Sequence, residues 1–299
     1  MTCFKAMNCN TSSGSCQIDD KVYPMVGFGT YPLTGEICFR SIEEALKSGY
    51  RIIDTATRYK NFEAIAQALK GKNREEIYLI SKVWHDSLQY EGISSDLKST
   101  LKQLQVDYLD AYLIHWPNSQ ISIEETLGAM EELRQSHKVR HLGLSNVSVN
   151  HLKRALETKV QINWVQVEMH PFFCDFELLK FCQEQCIAVQ AWSPLGRGLI
   201  CQEPLLIEVG RKYDKTPAQV AIRWIIQHKA FPLPSSQNPK HIAENIKVDD
   251  FWLSDEEMQK IDARAKLGSR KRFVKDKIGF SDEFDYSYEE CWPKVKSRL

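Results

Sequence analysis

The chain is organised around Arg51-Ile-Ile-Asp54-Thr-Ala-Thr-Arg-Tyr59-Lys-Asn61-Phe-Glu63. A short apolar run that suits a buried strand ends on Asp54, a tyrosine follows five residues later, and Asn61 opens a predicted helix. A single carboxylate after a strand is common in turns and helix caps. This one points to chemistry because polar residues recur at the ends of several later strands.

Strand-like runs alternate with amphipathic segments on both sides of this stretch. The predicted strands are Met25–Tyr31, Arg51–Asp54, Ile77–Lys82, Tyr108–His115, Val139–Asn146, Asn163–His170, Ile187–Ser193 and Phe231–Ser235. The predicted helices between them include Glu36–Ser48, Ser94–Leu104, Ile123–Ser136, Val149–Glu157, Asp175–Gln185 and Thr216–His228. Strands separated by helices pair in parallel. Eight such units over about 250 residues predict an α/β fold, a closed (β/α)8 TIM barrel.

The alternative fold is a doubly wound open sheet. Its dinucleotide-binding version carries GxGxxG after the first strand, whereas this chain has only Gly27-Phe-Gly29-Thr30 there. The pattern therefore favours the barrel.

The two ends of the chain are expected to differ from the barrel between them. Residues 1–16 are rich in Cys, Asn, Ser and Thr and lack the apolar core of a secretory signal, so they predict a loose N-terminal extension. Residues 17–299 are expected to form a single barrel domain, with an N-terminal hairpin at Gln17–Tyr23 and a C-terminal tail after Gly268. The aromatic residues of that tail could cover the outside of the barrel.

Composition excludes several classes of partner. The 39 Lys and Arg residues balance 39 Asp and Glu residues, which argues against nucleic acid and against a polybasic membrane patch. No apolar run approaches the roughly 18 residues of a membrane-spanning helix. The nine cysteines are scattered without a CxxC pair. They predict reduced thiols in a cytoplasmic protein and no metal site.

Barrel enzymes carry their chemistry at the C-terminal ends of the strands. The polar or aromatic residues that end the predicted strands here are Asp54, Lys82, His115, Ser145, Asn146, Gln166, Glu168, Trp192 and Ser193. A lone lysine or histidine after a strand is usually a solvated loop residue. Several such residues at one mouth indicate an active site.

Three of these side chains, together with Tyr59, suit the reduction of a carbonyl group. Tyr59 is a weak acid with an ordinary pKa of about 10, and a nearby Lys82 cation is expected to lower that pKa. Asp54 would hold the lysine in place, and His115 could donate a hydrogen bond to the carbonyl oxygen as charge develops. Tyr59 would then supply the proton. Because no residue supplies a hydride, a nicotinamide cofactor is implied.

The sequence resembles the aldo-keto reductases, from about Gln17 to Arg298. The motifs that carry the resemblance are Gly27-Phe-Gly29-Thr-Tyr31, Asp54-Thr-Ala…Tyr59-x-Asn61, Lys82-Val-Trp84, His115-Trp116-Pro117, Gly143-Leu-Ser145-Asn146, Gln166-Val-Glu168-Met-His170-Pro171 and Trp192-Ser193-Pro194-Leu195-Gly196. The resemblance implies the barrel fold and a catalytic tetrad of Asp54, Tyr59, Lys82 and His115. It implies substrate contacts from Tyr31, Trp84, His115 and Trp116, and a tail that folds partly over the mouth.

The resemblance also implies a set of cofactor contacts. Ser145, Asn146 and Gln166 would bind the nicotinamide carboxamide, and the ring would stack on Trp192, where many members have tyrosine. The other implied contacts are Gly29, Thr30, Ser193, Leu195, Ser235, Ser236, His241, Glu244 and Asn245.

The segment after the eighth strand departs from the family's phosphate-binding pattern. Ser235 replaces a frequent lysine and His241 a frequent arginine, so the expected cofactor is NADPH with NADH as the alternative. Independently of the family, Asn238 suits an N-cap and Pro239 the first helical position. An ordinary capped helix and a phosphate site at a helix N-terminus are both consistent with this stretch.

These observations predict an oxidoreductase that reduces an aldehyde or a ketone to an alcohol with NADPH and Tyr59 as general acid. Within the family, the sequence most resembles the diketogluconate reductase-like members. The resemblance also leads us to expect a monomer. One alternative is a non-catalytic barrel that binds cofactor as a sensor or subunit, although the tetrad is complete. Another is a metal-dependent barrel hydrolase, which would need an HxH pair after an early strand, and the chain has none.

Overall fold

The structure, a computed structural model, describes residues 7–118 and 120–267. The described chain begins with a small antiparallel sheet whose three strands pair in order: β1 (Met7–Asn10), β2 (Ser15–Ile18) and β3 (Lys21–Pro24). The hairpin predicted around Asp19 and Asp20 is therefore confirmed as β2 and β3.

The loose extension predicted for residues 1–16 is wrong from residue 7 onward. Met7 lies opposite Ile18 and Cys9 opposite Cys16, so β1 is a paired strand. The prediction failed because β1 is short and polar, and its order comes from pairing with a neighbour rather than from its own apolar pattern.

The same pairing corrects the prediction that all cysteines are reduced. Cys9 and Cys16 are joined in a disulfide, with their Cα atoms 4.0 Å apart across the two strands. Cys186 is also disulfide-bonded. Four cysteines among the described residues are free thiols, at positions 38, 174, 182 and 201.

Eight parallel strands form the centre of the described residues. They are β4 (Phe28–Gly29), β5 (Ile52–Asp54), β6 (Tyr78–Val83), β7 (Leu109–Ile114), β8 (Val139–Ser145), β9 (Trp164–Glu168), β10 (Ala188–Trp192) and β11 (Ala230–Pro232), each hydrogen-bonded to the next in chain order. Because all eight run parallel, the residues that end the strands lie at one end of the sheet.

Main-chain hydrogen bonds join the last strand of this sheet to the first. The Gly27 amide donates to the Pro232 carbonyl at 3.0 Å, and the Gly29 amide donates to the Pro234 carbonyl at 3.0 Å. A Cβ atom on Gly29 would lie 2.7 Å from the Leu233 carbonyl oxygen, so the junction requires glycine. The predicted closed barrel is confirmed.

Helices connect the strands of the described chain. They are α1 (Gly35–Lys47), α2 (Phe62–Leu69), α3 (Tyr90–Leu104), α4 (Ile123–Gln135), α5 (Val149–Glu157), α6 (Phe176–Glu184), α7 (Pro204–Tyr213), α8 (Pro217–Gln227), α9 (Pro239–Asn245) and α10 (Asp255–Leu267). Helix α3 begins four residues before the predicted Ser94, and α9 begins at the predicted Pro239 with Asn238 as its cap.

The core lies inside the barrel and between the barrel and its helices. Leu79, Leu113, Trp164 and Ile225 are fully buried there. No helix of the described residues is long and apolar enough to cross a membrane. The tail after Gly268, including its predicted fold over the mouth, lies outside the described residues.

Candidate functional site

A buried ion pair lies at the C-terminal end of the barrel strands. Asp54 ends β5, and Lys82 is the fifth residue of β6. The Lys82 ammonium donates to the Asp54 carboxylate at 2.8 Å and to the Thr55 carbonyl at 3.0 Å. Lys82 is fully buried and Asp54 is 4% exposed. Burial lowers the pKa of Lys82, while the Asp54 charge opposes that change.

Tyr59 lies directly above this pair. A 3-10 turn at Thr57–Tyr59 carries the phenol, whose oxygen is 3.4 Å from the Lys82 Nζ atom. The expected lowering of the pKa of Tyr59 is wrong as a net result. Burial, followed by the Asp54 charge, raises that pKa well above 10. Because Asp54 offsets the lysine charge, the phenol keeps its proton at neutral pH.

His115 completes the group of four. It follows β7, is 8% exposed, and its ring centre lies 5.6 Å from that of Tyr59. Burial lowers the pKa of His115 well below its usual range, and Lys82, His85 and Arg58 add to this effect. The imidazole is therefore neutral. Its Nδ1 atom is buried without a hydrogen-bond partner among the described residues, so the ring can carry its proton on Nε2.

A pair of glutamines holds Asp54 from the opposite side. The Gln166 side-chain amide donates to Asp54 Oδ1 at 2.8 Å and to the Gln190 side-chain oxygen at 2.8 Å. The Asp54 carboxylate is therefore fixed through both oxygens, by Lys82 and by Gln166. The Gln166 oxygen remains as the acceptor for a ligand. Gln190 was not singled out in the sequence, because a buried glutamine inside a strand carries no recognisable motif.

The three residues predicted to bind a carboxamide lie together. Ser145 is directly opposite Gln166 in the ladder, and the Asn146 amide bonds the Gln166 carbonyl. Asn146 also donates to the Ser145 hydroxyl at 3.1 Å and accepts from the Trp192 indole at 3.0 Å. This last bond fixes the half-buried Trp192 ring beside the polar cluster. An amide group and a flat aromatic ring therefore have suitable partners here.

Other predicted cofactor residues take different positions. Thr30 is fully buried, and its hydroxyl donates to the Asp54 carbonyl at 2.9 Å, so its side chain supports the site from beneath. Ser193 and Leu195 are half-buried in the turn after β10, at the same end of the barrel as Trp192.

The predicted phosphate segment is open to solvent. Ser235 and Ser236 are half-buried, and His241 is exposed. The Lys240 ammonium lies 3.7 Å from Glu244 on the same helix, so it points along α9. Asn245 is 4% exposed and lies at the end of that helix.

Aromatic rings surround the four polar groups. Tyr31 is 52% exposed and lies 5.2 Å from the Tyr59 ring. Trp84 meets the His115 ring edge-on at 5.0 Å. Trp116 is only 8% exposed, so it offers little surface to a ligand. Tyr31 and Trp84 therefore form the accessible walls beside Tyr59.

Two further residues act around Tyr59 that the sequence did not single out. Arg58 lies over the Trp84 ring, with 4.8 Å between its Cζ atom and the ring centre. Asp96 of α3 accepts from the Thr57 hydroxyl at 3.1 Å. Arg58 belongs to the first motif quoted from the sequence, but nothing in the sequence pattern indicated its contact with Trp84. Asp96 is 39 residues from Thr57, and only the fold joins them.

This arrangement is suited to proton transfer to an oxygen atom. A protonated phenol, a neutral imidazole and a fixed ion pair meet beside an open aromatic wall. Among the part of the chain that the structure describes, no group of three or more His, Cys, Asp or Glu side chains could hold a metal ion.

Comparison with known proteins shows the family of the chain. A model described as the aldo/keto reductase family matches residues 25–266. The glyoxal reductase of Bacillus subtilis (strain 168) is 40% identical over 249 residues, which cover 81% of this chain and 89% of that protein. The methylglyoxal reductase DkgA of Escherichia coli (strain K12) is 37% identical over 265 residues, which cover 86% and 94%.

A solved structure shows the same fold. The aldose reductase from Schistosoma japonicum superposes with a TM-score of 0.83 at 29% identity, covering 95% of this chain and 99% of that one. Sequence and fold therefore point to one family.

Proposed function

Since the chain belongs to the aldo/keto reductase family and is an oxidoreductase of carbonyl compounds, we propose that it reduces an aldehyde or a ketone with NADPH. The nicotinamide supplies the hydride that reaches the carbonyl carbon. Tyr59 donates its proton to the carbonyl oxygen, and the neutral His115 donates a hydrogen bond to the same oxygen.

The ion pair behind Tyr59 prepares this proton transfer. Lys82 lies 3.4 Å from the phenol oxygen, so it stabilises the negative charge that remains when the proton leaves. Asp54 holds the ammonium, and Gln166 holds Asp54. The catalytic group is thus positioned before the substrate arrives.

The polar cluster beside Trp192 fits the nicotinamide. Gln166 offers its free side-chain oxygen to the carboxamide NH2 group, and Ser145 offers a hydroxyl to the carboxamide oxygen. Trp192 offers a ring held by its hydrogen bond to Asn146. Ser235, Ser236 and His241 are the proposed contacts of the 2′-phosphate. We do not assign the phosphate to the N-terminus of α9, because that helix has only seven residues.

The relatives support a small substrate. Their names refer to the reduction of glyoxal and methylglyoxal, and among the described residues Tyr31 and Trp84 are the aromatic walls beside Tyr59. We propose reactive aldehydes and ketones as substrates of a monomer that acts in the cytoplasm. The Cys9–Cys16 disulfide counts against that compartment, where thiols are usually kept reduced.

The observation that carries the proposal is the contact between Tyr59 and the Lys82–Asp54 pair. The test is incubation of the full chain with NADPH and methylglyoxal, followed at the nicotinamide absorbance. Steady loss of NADPH with formation of the alcohol is expected. Binding of NADPH without turnover of any aldehyde or ketone would indicate the non-catalytic barrel instead.

A further inference from the structure

Arg58 places a positive charge at the wall of the active site. It immediately precedes Tyr59, its side chain is exposed, and its guanidinium lies 4.8 Å above the centre of the Trp84 ring. The same Trp84 ring meets the His115 imidazole edge-on at 5.0 Å. One aromatic ring therefore separates the guanidinium from the group predicted to contact the carbonyl oxygen.

Among the described residues, no ion pair neutralises this charge. Within residues 7–118 and 120–267, Arg58 forms no hydrogen bond or salt bridge with another side chain. The nearby Asp86 carboxylate accepts from the Ser87 hydroxyl at 3.0 Å, and Asp96 is engaged by Thr57. The Arg58 charge also reaches the site itself, since it contributes to the lowered pKa values of His85 and His115.

We propose that Arg58 forms an anion subsite on the Trp84 wall, so that the chain favours carbonyl substrates that carry a carboxylate. This inference rests on the proposed carbonyl reduction and adds the substrate class and the residue that selects it. A guanidinium binds a carboxylate through two parallel hydrogen bonds. The contact with the Trp84 ring restrains the guanidinium, so less side-chain freedom is lost on binding.

The subsite does not change the chemistry at the carbonyl group. The hydride still reaches the carbonyl carbon and the Tyr59 proton the oxygen, while the carboxylate of the substrate stays intact. Arg58 is therefore a specificity residue, and its effect should be confined to substrates with a negative charge.

Matched pairs of aldehydes test this. Succinic semialdehyde and 4-carboxybenzaldehyde are compared with their neutral carboxamides, using kcat/KM for the wild type, Arg58→Met and Arg58→Lys. We expect the wild type to favour each acid over its amide by about 10-fold or more, as for a hydrogen bond to a charged group. Arg58→Met should bring the ratio near one without changing the amides, and Arg58→Lys should keep part of it.

The control is Arg40→Met, which removes an exposed arginine of α1 that pairs only with Glu36. It should leave both ratios unchanged, whereas added salt should lower the wild-type ratio. Equal loss with acids and amides in Arg58→Met would overturn the subsite, because Arg58 would then merely support Trp84 or Tyr59.

A binding measurement separates the subsite from the proposed function. Calorimetry with 4-(hydroxymethyl)benzoate needs no turnover, and we expect Arg58→Met to weaken its binding but not that of the matching amide. Absence of any reduction together with this difference in binding would reject the reductase and retain the subsite. Equal binding of the acid and the amide by the wild type would reject the subsite.

Discussion

Tyr59 keeps its proton because it is surrounded by protein and faces the Asp54 carboxylate. Both causes raise its pKa well above 10. A group with a raised pKa stays protonated throughout the neutral range, so the supply of protons for reduction should not depend on pH there. The opposite reaction, oxidation of an alcohol, needs the deprotonated phenol and should speed up as the pH rises.

The first prediction concerns this proton. Tyr59→Phe keeps the ring and removes the acid, so turnover should fall by the roughly 10²–10⁴-fold typical of general acid catalysis. Affinity for NADPH, measured by fluorescence titration, should be unchanged because the proposed cofactor contacts lie at Ser145 and Trp192. Near-normal turnover in the mutant would show that another group supplies the proton.

The second prediction concerns the ion pair. Lys82→Met leaves the buried Asp54 charge without its partner, which should cost about 3–5 kcal/mol of stability and abolish most turnover. The matched control is Lys82→Met combined with Asp54→Asn. This double mutant should regain much of the lost stability in urea unfolding but not the activity. Recovery of turnover in the double mutant would show that Lys82 acts only through stability.

The sequence predicted which residues meet at the site but not their protonation. Asp54, Lys82 and His115 were found because each ends a strand of a parallel barrel. The pKa of Tyr59 could not be derived in the same way. Its direction depends on burial and on how far Asp54 cancels the Lys82 charge, and both are set by the packing of distant segments.

At the scale of elements, α3 supports the turn that carries Tyr59. Asp96 accepts hydrogen bonds from Thr57 and from Tyr112 of β7, and the Thr57 hydroxyl also lies 3.0 Å from the Lys82 carbonyl oxygen. Burial raises the pKa of Asp96. Ionisation of this carboxyl therefore costs stability, and the cost grows as the pH rises through its folded-state pKa.

The third prediction tests this support. Asp96→Ala leaves the Tyr112 hydroxyl without its acceptor and the Thr57 hydroxyl with the Lys82 carbonyl oxygen alone, and it should lower the free energy of unfolding by about 1–3 kcal/mol. It should also lower kcat, because the turn at Thr57 carries Tyr59, with little change in NADPH affinity. Asp96→Asn keeps one acceptor oxygen and should retain most activity. Full activity in both mutants would mean that β6 alone positions the turn.

The fourth prediction concerns the segment between β11 and α9. Ser235, Ser236 and His241 offer hydrogen bonds but little fixed charge to a 2′-phosphate, and Lys240 points towards Glu244. NADPH should therefore be preferred over NADH by a modest margin.

Kinetics with both cofactors check the fourth prediction. The combined change Ser235→Lys and His241→Arg should strengthen the preference by roughly 10- to 150-fold, the range for hydrogen bonds to charged groups. A large preference for NADPH in the wild type would show that other residues bind the phosphate. A clear preference for NADH would overturn the choice of cofactor.

Helices and strands could be predicted where the residues that determine them are adjacent in the sequence. The cap of α9 could be found because Asn238 and Pro239 are adjacent and each has a strong positional preference. Strand β1 could not, because four polar-rich residues acquire their conformation only by pairing with β2. The start of α3 was missed for a related reason, since its cap residue Gln89 makes no side-chain bond to the helix.

At the scale of the whole molecule, the barrel could be predicted from eight repeats of one pattern. The contacts that close it could not, because they join the first and last strands, about 200 residues apart in a chain of 299. The two amides that close it belong to Gly27 and Gly29. Both glycines stood in the motif, yet only the structure shows what approaches them.

At the closing junction the first strand donates the two described main-chain bonds and the last strand accepts them. Pro232 and Pro234 accept from the first strand through their carbonyls, but a proline has no amide hydrogen to donate in return. The fifth prediction is that the Gly27 and Gly29 amides exchange with solvent hydrogen faster than those of β6 and β7. Pro232→Ala supplies one donor and should slow this exchange. Equal protection around the barrel would contradict the prediction.

A barrel with one weaker strand pair opens first at that pair when thermal motion separates neighbouring strands. The two prolines alternate with residues that bond β10, and Ser235 and Ser236 follow them directly in the chain. The segment proposed to bind one end of the cofactor is therefore attached to the part of the barrel that opens most readily. Entry and departure of the cofactor would then be timed by this opening, and a bound nucleotide should slow amide exchange at Gly27 and Gly29 more than anywhere else in the barrel.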